Sequence, residues 1–298
     1  MPDHHGLEAL AGVPAVTPLR YSEEDGVPAG GHHAEVMVVP FGSVERLTAL
    51  MTRLPALRLV QTLHAGIEQW QGRLPDGVLL STARGAHGAA TAEWALAGLL
   101  AVHRDLPGFA ADQAAGRWRW RTTDSLHGKR VLILGAGDLG SSLRRMLTPF
   151  DVEVTMVARR HRPGVRTLDE VPTLLPEHDV VALMLPHSPG THHLVDRDFL
   201  ALLPDGAVLV NAARGALVDT GALLTELRRG RLRAVLDVTD PEPLPAGHPL
   251  WTAPGVLITP HVGGGVHDYR VRAWRVVAAQ IAQFARGETP DNLVPATT

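Results

Sequence analysis

Short runs of apolar, β-branched residues alternate with helical patterns from residue 130 onward. Six runs predict strands, at Arg130–Leu134, Val152–Val157, Val180–Leu185, Ala207–Val210, Arg233–Leu236 and Val256–Thr259. Helical patterns lie between them, at Asp138–Leu147, Leu168–Leu175, Asp196–Leu202 and Gly221–Arg229. Strands that are apolar throughout and separated by helices are typical of a parallel sheet buried on both faces. This part of the chain is therefore expected to form a doubly wound α/β domain.

A weaker form of the same alternation occupies the first hundred residues. Candidate strands lie at Val36–Val39, Leu57–Thr62 and Val78–Thr82, which predicts a second, smaller α/β domain. Two further helical patterns, Ala92–His103 and Asp268–Arg286, flank the larger domain. We expect them to bridge the two domains, with the end of the chain returning to the first.

Composition and charge narrow the class of partner. The chain has 298 residues, of which 45% are hydrophobic and 20% charged, and it is longer than one average domain. Its net charge is −3, and basic residues form only short pairs such as Arg228-Arg229, so no nucleic-acid partner is expected. The amino terminus lacks a secretory pattern, and the longest apolar run, Trp94–Val102, is far shorter than the roughly 20 residues of a membrane helix. We expect a small-molecule partner, no membrane partner and a cytoplasmic location.

Several chemistries are excluded by residue type. The absence of cysteine excludes disulfides, thiolate zinc sites, iron–sulfur clusters and cysteine nucleophiles. Lys129 is the only lysine, and a strand follows it, so the sequence has no phosphate-binding P-loop. The 16 histidines include adjacent pairs that begin at His4, His32 and His192, but adjacent side chains rarely converge on one ion and no HExxH motif occurs. No metal site is expected.

A glycine-rich turn joins the first strand of the larger domain to its helix. Val131–Leu134 leads directly into Gly135-Ala-Gly137-Asp-Leu-Gly140. In this strand–turn–helix context Gly135 permits the tight turn, Gly137 lets the backbone approach a pyrophosphate, and Gly140 allows the helix to pack closely on the strand. The pattern predicts a dinucleotide-binding domain of the Rossmann type.

The end of the next strand bears on the choice of dinucleotide. NAD-binding versions place an acidic residue there, about 20 residues on, to accept a hydrogen bond from the ribose 2′-hydroxyl. Here Ala158 stands at that point and Arg159 and Arg160 follow. Arginines attract a 2′-phosphate, so NADP(H) is predicted in preference to NAD(H). The alternative is that both arginines form a solvated strand end.

Three more strands run into polar residues just past their carboxyl ends, which is where open α/β sheets bind ligands. These residues are Arg214, Glu242 and His261. An arginine fork can hold a carboxylate and a carbonyl, a histidine can give or take a proton, and a carboxylate can orient that histidine. The set suits the reduction of a 2-oxo acid by hydride from a cofactor.

Together with Leu183–Thr191 and the glycine motif, these segments closely resemble the D-isomer-specific 2-hydroxyacid dehydrogenase family, in order from about His64 to Gly265. The resemblance assigns the catalytic arginine to Arg214, the histidine-supporting acid to Glu242 and the acid–base group to His261. Ala65 and Gly66 match the loop whose backbone amides hold the substrate carboxylate. Further cofactor contacts are implied at these positions: Asp138, Leu139, Pro186, Ala212 and Asp237.

The resemblance also implies a fold. The Rossmann-type domain, residues 91–265, would be inserted into a discontinuous flavodoxin-like α/β substrate domain, residues 1–90 and 266–298. The active site would lie in the cleft, and two copies would form a homodimer through the cofactor domain. Family members usually open with a short strand, whereas Gly6–Ala11 here already has a helical pattern, so the first strand is expected to be absent or to start late.

Three smaller features leave alternatives open. Arg84 is either a substrate contact or a surface residue. Trp118 and Trp120, interleaved with arginines, are expected to pack between domains or subunits in preference to binding RNA. Glu242 argues against the formate dehydrogenase branch, because glutamine has that role there.

The sequence favours an NADP(H)-dependent reductase of a small 2-oxo acid, such as glyoxylate or hydroxypyruvate, that yields a D- or achiral 2-hydroxy acid. A specialised biosynthetic 2-oxo acid is equally open. One alternative is a nucleotide-sensing binding protein of the corepressor type, which shares the fold and can keep the same three residues. Another is a phosphite- or phosphoglycerate-type dehydrogenase, whose larger anion would need extra arginines, with Arg84 the only candidate.

Overall fold

The first third of the chain contains a small parallel sheet. In the computed structural model, which describes residues 1–295, the elements in chain order are α1 (His4–Leu10), β1 (Val36–Val39), α2 (Val44–Met51), β2 (Leu59–Thr62) and β3 (Leu79–Ser81). The strands pair in the order β1-β2-β3, all in parallel. Helix α2 lies where the sequence analysis predicts no element, although Ser43 caps its first turn and Leu47, Leu50 and Met51 share its buried side. The helical pattern at Gly6–Ala11 is confirmed as α1, which precedes every strand of the described chain.

A seven-stranded sheet forms the centre of the larger part of the chain. Its strands are β4 (Arg130–Leu134), β5 (Glu153–Val157), β6 (Val165–Arg166), β7 (Val180–Leu183), β8 (Val208–Asn211), β9 (Arg233–Leu236) and β10 (Val256–Ile258). They pair in the order β10-β9-β8-β7-β4-β5-β6, and every neighbour is parallel. From β4 the chain adds β5 and β6 on one side. It then adds β7, β8, β9 and β10 in succession on the other side. The predicted doubly wound parallel sheet is confirmed, and its switch point between β4 and β7 is where such sheets bind ligands.

Apolar side chains are buried on both faces of this sheet. Val131 and Ile133 of β4 pack in one core, and the alternating Leu132 and Leu134 pack in another. The helices of this part are α3 (Gly88–His103), α4 (Leu106–Ala114), α5 (Asp138–Leu147), α6 (Val171–Leu174), α7 (Arg197–Ala201) and α8 (Thr220–Arg228). Within residues 1–295 no helix has the length and apolar character needed to cross a membrane.

Two sequence-based expectations need correction, and two further elements, β6 and α4, were not predicted. The pattern at Leu168–Leu175 is a 3-10 turn at Leu168–Glu170 followed by the short α6, because Thr167 and Glu170 cap the first turn reciprocally. The strand expected at Val180–Leu185 ends at Leu183, because its neighbour β4 ends at the paired Leu134. Helix α4 has no counterpart in the sequence analysis, since Pro107 and Gly108 resemble helix breakers, yet proline is tolerated in a first turn.

The chain divides into two units, Met1–His87 with His267 onward, and Gly88–Val266. These boundaries lie one to three residues from the predicted ones. Helix α9 (Tyr269–Ala285) packs against α1 in the first unit, and α3 packs against α5 in the second. Each of the two helices thus packs closely on another helix of its own unit, and the expected bridging of the domains stays a prediction. The predicted smaller domain also includes residues 296–298, which lie outside the described residues.

The α-amine of Met1 is buried in the first unit and donates a hydrogen bond to the Leu19 carbonyl at 2.8 Å. Burial lowers its pKa from 8.0 to about 5, against a smaller opposing effect of the Asp3 charge. Between these values the unfolded chain binds the proton and the folded chain does not, so folding stability should rise from pH 5 to pH 8. The largest expected gain is about 4 kcal/mol, from about 1.4 kcal/mol for each pKa unit.

Denaturant melts across this pH range test the expectation. The matched control is the same protein acetylated at the Met1 amine, which has no proton to bind there and should show a shallower increase. Equal slopes in the two proteins would show that the Met1 amine does not contribute.

Candidate active site

The glycine-rich turn has the backbone that close phosphate approach requires. Gly135 has φ +117°, and a Cβ there would lie 2.3 Å from the Met184 carbonyl oxygen, so a larger residue is excluded. Gly137 is the N-cap of α5, no side chain caps it, and its missing Cβ would point into open space. The amino terminus of α5 is thus uncapped by a side chain at Gly137, and the space beside Gly137 is open. A helix amino terminus of this kind fits an anionic pyrophosphate.

The remaining predicted cofactor residues of this turn lie in the first turn of α5. Gly140 is buried, and a Cβ there would lie 1.9 Å from the Gly135 carbonyl oxygen, so α5 packs directly on the turn. Leu139 is partly buried beside the core of this face. One carboxylate oxygen of Asp138 is buried without a hydrogen-bond partner, against Gly88 at the start of α3.

The end of β5 presents several arginines. Arg159 and Arg160 are both exposed there, directly after the strand. Arg162, which the sequence analysis did not select, donates a hydrogen bond from its guanidinium to the carbonyl of Ala136 in the glycine-rich turn. A cation therefore lies against the turn that fits the dinucleotide. The available sequence signal for Arg162 was its position three residues past Arg159, in the same basic run.

Arg214, Glu242 and His261 follow three adjacent strands of one sheet. Arg214 comes after β8, Glu242 after β9 and His261 after β10, and these strands are neighbours in the order β10-β9-β8. Since the strands are parallel, their carboxyl ends meet at one edge of the sheet. His261 Nδ1 lies 2.6 Å from Glu242 Oε1, and both side chains are about half exposed. The structure thus joins the predicted acid–base residue directly to its predicted carboxylate.

Asp237 fixes the loop that carries His261. The backbone N–H of His261 donates to the Asp237 carbonyl at 2.7 Å, and His261 itself has φ +54°. Asp237 is 3% exposed, and its carboxylate accepts three hydrogen bonds, from the Thr259 hydroxyl at 2.6 Å, the Val262 N–H at 2.8 Å and the Gly263 N–H at 2.7 Å. Asp237 therefore positions the His261 loop. The cofactor contact predicted for it stays a prediction.

A buried asparagine holds the backbone around Arg214. The Asn211 amide donates to the Arg214 carbonyl at 2.9 Å, and its oxygen accepts from the Ala213 N–H at 3.1 Å. The guanidinium of Arg214, which is partly exposed, donates to the Ala213 carbonyl at 2.7 Å. Asn211 is 1% exposed and was missed in the sequence analysis, although it directly follows the strand predicted at Ala207–Val210. It sets the direction in which Arg214 leaves the sheet.

The other predicted residues lie at strand ends or in the first unit. Ala212 is buried after β8, and Pro186 is exposed after β7, where its carbonyl accepts from the Thr191 hydroxyl at 3.2 Å. Ala65 and Gly66 lie in the loop after β2, with Ala65 exposed. The Arg84 guanidinium is engaged within the first unit, donating to Asn292 Oδ1 at 3.2 Å and to the Asp291 carbonyl at 3.0 Å.

The sheet is doubly wound and parallel, and its first turn is glycine-rich. Its carboxyl edge carries an arginine and a histidine–glutamate pair. Together these features define a dinucleotide-binding oxidoreductase. The family described as D-isomer specific 2-hydroxyacid dehydrogenase, NAD binding domain, matches residues 96–263, more than half of the chain. The chain belongs to this family. The predicted family, fold class and oxidoreductase activity are confirmed at that level.

Named relatives agree with this assignment. The chain is 32% identical over 268 residues to a glyoxylate reductase of Aeropyrum pernix, covering 82% of this chain and 78% of the relative. It is 29% identical over 274 residues to a D-3-phosphoglycerate dehydrogenase of Methanocaldococcus jannaschii, covering 88% of this chain and only 52% of that longer relative. A D-isomer specific 2-hydroxyacid dehydrogenase from Xanthobacter autotrophicus Py2, solved in complex with NADPH and MES, has 30% identity and a TM-score of 0.83, with 98% of this chain and 95% of that chain covered.

Proposed function

We propose that this protein is an NADP(H)-dependent reductase of a small 2-oxo acid, with Arg214, Glu242 and His261 as its catalytic residues. The observation that carries the proposal is the 2.6 Å hydrogen bond between His261 and Glu242, at the same sheet edge as Arg214. A histidine buttressed by a carboxylate is the arrangement of a general acid–base group. The nicotinamide cofactor, when bound, would supply the hydride.

His261 gives the proton to the developing alkoxide. Because Nδ1 faces Glu242 Oε1, Nε2 is the ring nitrogen left to donate. Glu242 holds the imidazole ring by its Nδ1 proton and keeps that proton in a hydrogen bond after Nε2 has lost its own. In the oxidation direction the neutral Nε2 takes the hydroxyl proton of the 2-hydroxy acid.

Arg214 and the loop of Ala65 and Gly66 hold the substrate. The planar guanidinium fork of Arg214 can bind the carboxylate and polarise the carbonyl of a 2-oxo acid. The backbone N–H groups of Ala65 and Gly66, in the first unit, are further proposed donors to a substrate carboxylate. Such fixed donors are most effective where negative charge develops in the transition state.

The preference for NADP(H) is supported by the basic run after β5. No acidic residue stands at the strand end, and Arg159, Arg160 and Arg162 are all exposed. The Xanthobacter relative was solved with NADPH bound, which agrees with this choice. Asp138, Leu139, Pro186 and Ala212 complete the proposed cofactor contacts around the glycine-rich turn.

Reversing these charges should reverse the cofactor preference. We expect the double variant Arg159→Asp, Arg160→Asp to lose about tenfold or more in kcat/KM for NADPH, since each lost charge-assisted bond to phosphate is worth about 1.5 to 3 kcal/mol. The kcat/KM for NADH should change little. The control is Arg197→Asp, Arg229→Asp, which removes two arginines elsewhere in the same unit. An unchanged NADPH/NADH ratio in the first variant would assign both arginines to a solvated strand end.

Glyoxylate or hydroxypyruvate is the proposed substrate class. The Aeropyrum relative is named a glyoxylate reductase. A phosphorylated or phosphite substrate would need a further cation, and the only sequence candidate, Arg84, already donates to Asn292 and to the Asp291 carbonyl. This engagement favours the smaller anions.

Steady-state kinetics with both nicotinamide cofactors test the proposal. For reduction, the panel contains glyoxylate, hydroxypyruvate, pyruvate, 3-phosphohydroxypyruvate and bulkier 2-oxo acids. For the oxidation direction, it contains phosphite and 2-hydroxy acids. We expect the highest kcat/KM with NADPH as the cofactor and either glyoxylate or hydroxypyruvate as the substrate. NADPH binding without consumption across the whole panel would instead indicate a nucleotide-sensing binding protein.

A homodimer through the cofactor-binding unit belongs to the same proposal. Trp118 and Trp120 are 100% and 83% exposed in the single chain. The flanking Arg117 and Arg121 are engaged within the chain, because they pair with the buried carboxylate of Asp112 at 3.1 and 2.8 Å. Large exposed aromatic side chains on a fixed backbone are typical of a protein–protein interface.

A further inference from the structure

The glycine-rich turn is anchored at three points along its backbone. The Gly135 N–H donates to the Val157 carbonyl at the end of β5 at 2.8 Å, and the Gly137 carbonyl accepts from a backbone N–H of α5 at 2.9 Å. Both of these bonds join backbone to backbone. Between them lies the carbonyl of Ala136, and among the described residues its donor is the guanidinium of Arg162. The middle of the turn is thus held by a side chain.

The peptide group between Ala136 and Gly137 needs such a contact to fix its direction. Gly137 has no Cβ, so no side chain restricts its φ, and open space lies beside it. The peptide bond is trans, so the N–H of Gly137 points opposite to the Ala136 carbonyl. By holding the carbonyl on one side, Arg162 therefore fixes the direction of the Gly137 N–H on the other. That N–H lies at the amino terminus of α5, where an anionic pyrophosphate fits.

A tight turn fixes the backbone of Arg162 itself. The Arg162 carbonyl accepts from the Val165 N–H at 3.0 Å. The two residues between them are Pro163 and Gly164, and Gly164 has φ +72°. Proline at the second position and a glycine with positive φ at the third are the pattern of a type II turn. The sequence directly after Arg162 thus sets the position from which its side chain reaches the glycine-rich turn.

The two arginines at the start of the same basic run are placed differently. Arg159 and Arg160 are exposed, and within residues 1–295 neither donates a side-chain hydrogen bond or pairs with a carboxylate. Their guanidinium groups are therefore available to a phosphate of the ligand. The guanidinium of Arg162 is instead engaged with the protein backbone. The run thus contains arginines of two kinds.

We propose that Arg162 is a positioning residue for the dinucleotide pyrophosphate, which fixes the peptide group between Ala136 and Gly137 and so serves NADPH and NADH alike. The 2′-phosphate, which only NADPH carries, is left to Arg159 and Arg160. Without the Arg162 bond, the cost of ordering this peptide group falls on cofactor binding, and the affinity for both dinucleotides decreases. The inference rests on the dinucleotide binding of the proposed function, but not on its choice between the two cofactors.

The test is the variant Arg162→Met, which keeps an apolar stem and removes every donor. The matched control is Arg166→Met in β6, because Arg166 is also exposed and pairs with Glu170 at 3.1 Å. The Kd for NADPH and the Kd for NADH are measured by fluorescence titration at about 0.15 M salt, which screens the attraction between distant charges. In the protein without cofactor, the order parameter of the Gly137 N–H is measured by nitrogen-15 relaxation.

We expect Arg162→Met to raise the Kd for NADPH and the Kd for NADH by about tenfold each, so that their ratio stays within about twofold of the wild-type value. The order parameter of the Gly137 N–H should fall from about 0.85, the value of rigid backbone, toward about 0.6. Arg166→Met should leave both dissociation constants and the order parameter unchanged.

A loss of affinity confined to NADPH would overturn the proposal, because Arg162 would then bind the 2′-phosphate. Unchanged dissociation constants for both cofactors would overturn it as well. So would a loss for both with an unchanged order parameter at Gly137, since the lost charge alone explains that result. A failure of the proposed cofactor preference is distinguishable, because it shows as an unchanged NADPH/NADH ratio in the Arg159→Asp, Arg160→Asp variant, whatever Arg162→Met does.

Discussion

Replacing His261 with alanine is expected to reduce kcat for 2-oxo acid reduction by about a hundred- to ten-thousand-fold while leaving the Kd for NADPH nearly unchanged. The imidazole Nε2 is the proposed proton donor, and alanine has no group to replace it. The proposed cofactor contacts lie in the glycine-rich turn and after β5, β7 and β8, which the substitution does not touch. The bond of His261 to Asp237 is made by its backbone N–H, which alanine keeps. Stopped-flow rates with NADPH bound first, together with fluorescence titration of NADPH, separate the two quantities.

The matched control for this variant is His127→Ala. His127 is exposed and lies 2.9 Å from Asp151, so it too is a histidine paired with a carboxylate in the second unit. It should retain full activity. If His261→Ala turned over at the wild-type rate, the proton donor would have to be another residue.

Replacing Arg214 with lysine should also cause a large loss, about a hundredfold or more in kcat/KM, although the positive charge is kept. The reason is geometric: a guanidinium binds a carboxylate and a carbonyl with two parallel donors, and an ammonium offers only a point charge. The loss should appear in both KM and kcat, because the same fork holds the substrate and stabilises charge in the transition state.

Arg229→Lys is the control for Arg214→Lys. Arg229 pairs at 3.1 Å with Glu226 at the end of α8, away from the three proposed catalytic residues. This variant should keep wild-type kinetics. Wild-type kinetics for Arg214→Lys itself would mean that Arg214 contributes charge alone, and the proposed bidentate contact would be wrong.

The larger unit was the more predictable part of the fold. Its four central strands, β4, β7, β8 and β9, are buried on both faces, so apolar runs mark them directly, and the glycine motif fixes the first strand–helix turn. The edge strand β6 has two residues, one of them exposed, and was not predicted. In the smaller unit, α2 has both an N-cap at Ser43 and apolar residues at helical spacing. It was not predicted because it is short and lies between weak strand patterns. The beginning of α4 was hidden by Pro107 and Gly108, which are equally typical of a loop.

The candidate site was predictable in its residues and not in its supporting contacts. Arg214, Glu242 and His261 stand at strand ends and could be selected by chemistry and by resemblance to the family. Asp237 and Asn211 act on backbone groups of other loops, and hydrogen bonds of that kind follow from tertiary structure, with no local signal. Arg162 has a sequence signal in the basic run that begins at Arg159, but its bond to the Ala136 carbonyl joins residues 26 positions apart and follows from tertiary structure.

Isotope transfer is the most direct test of the proposed chemistry. The wild-type protein is incubated with glyoxylate or hydroxypyruvate and NADPH that carries deuterium at the transferred position of C4, and the products are analysed by mass spectrometry. We expect one deuterium on C2 of the 2-hydroxy acid for each NADPH oxidised, with the hydroxyl proton supplied by solvent through His261. Unlabelled product would contradict direct hydride transfer, and unreacted NADPH with every 2-oxo acid tried would contradict a reductase altogether.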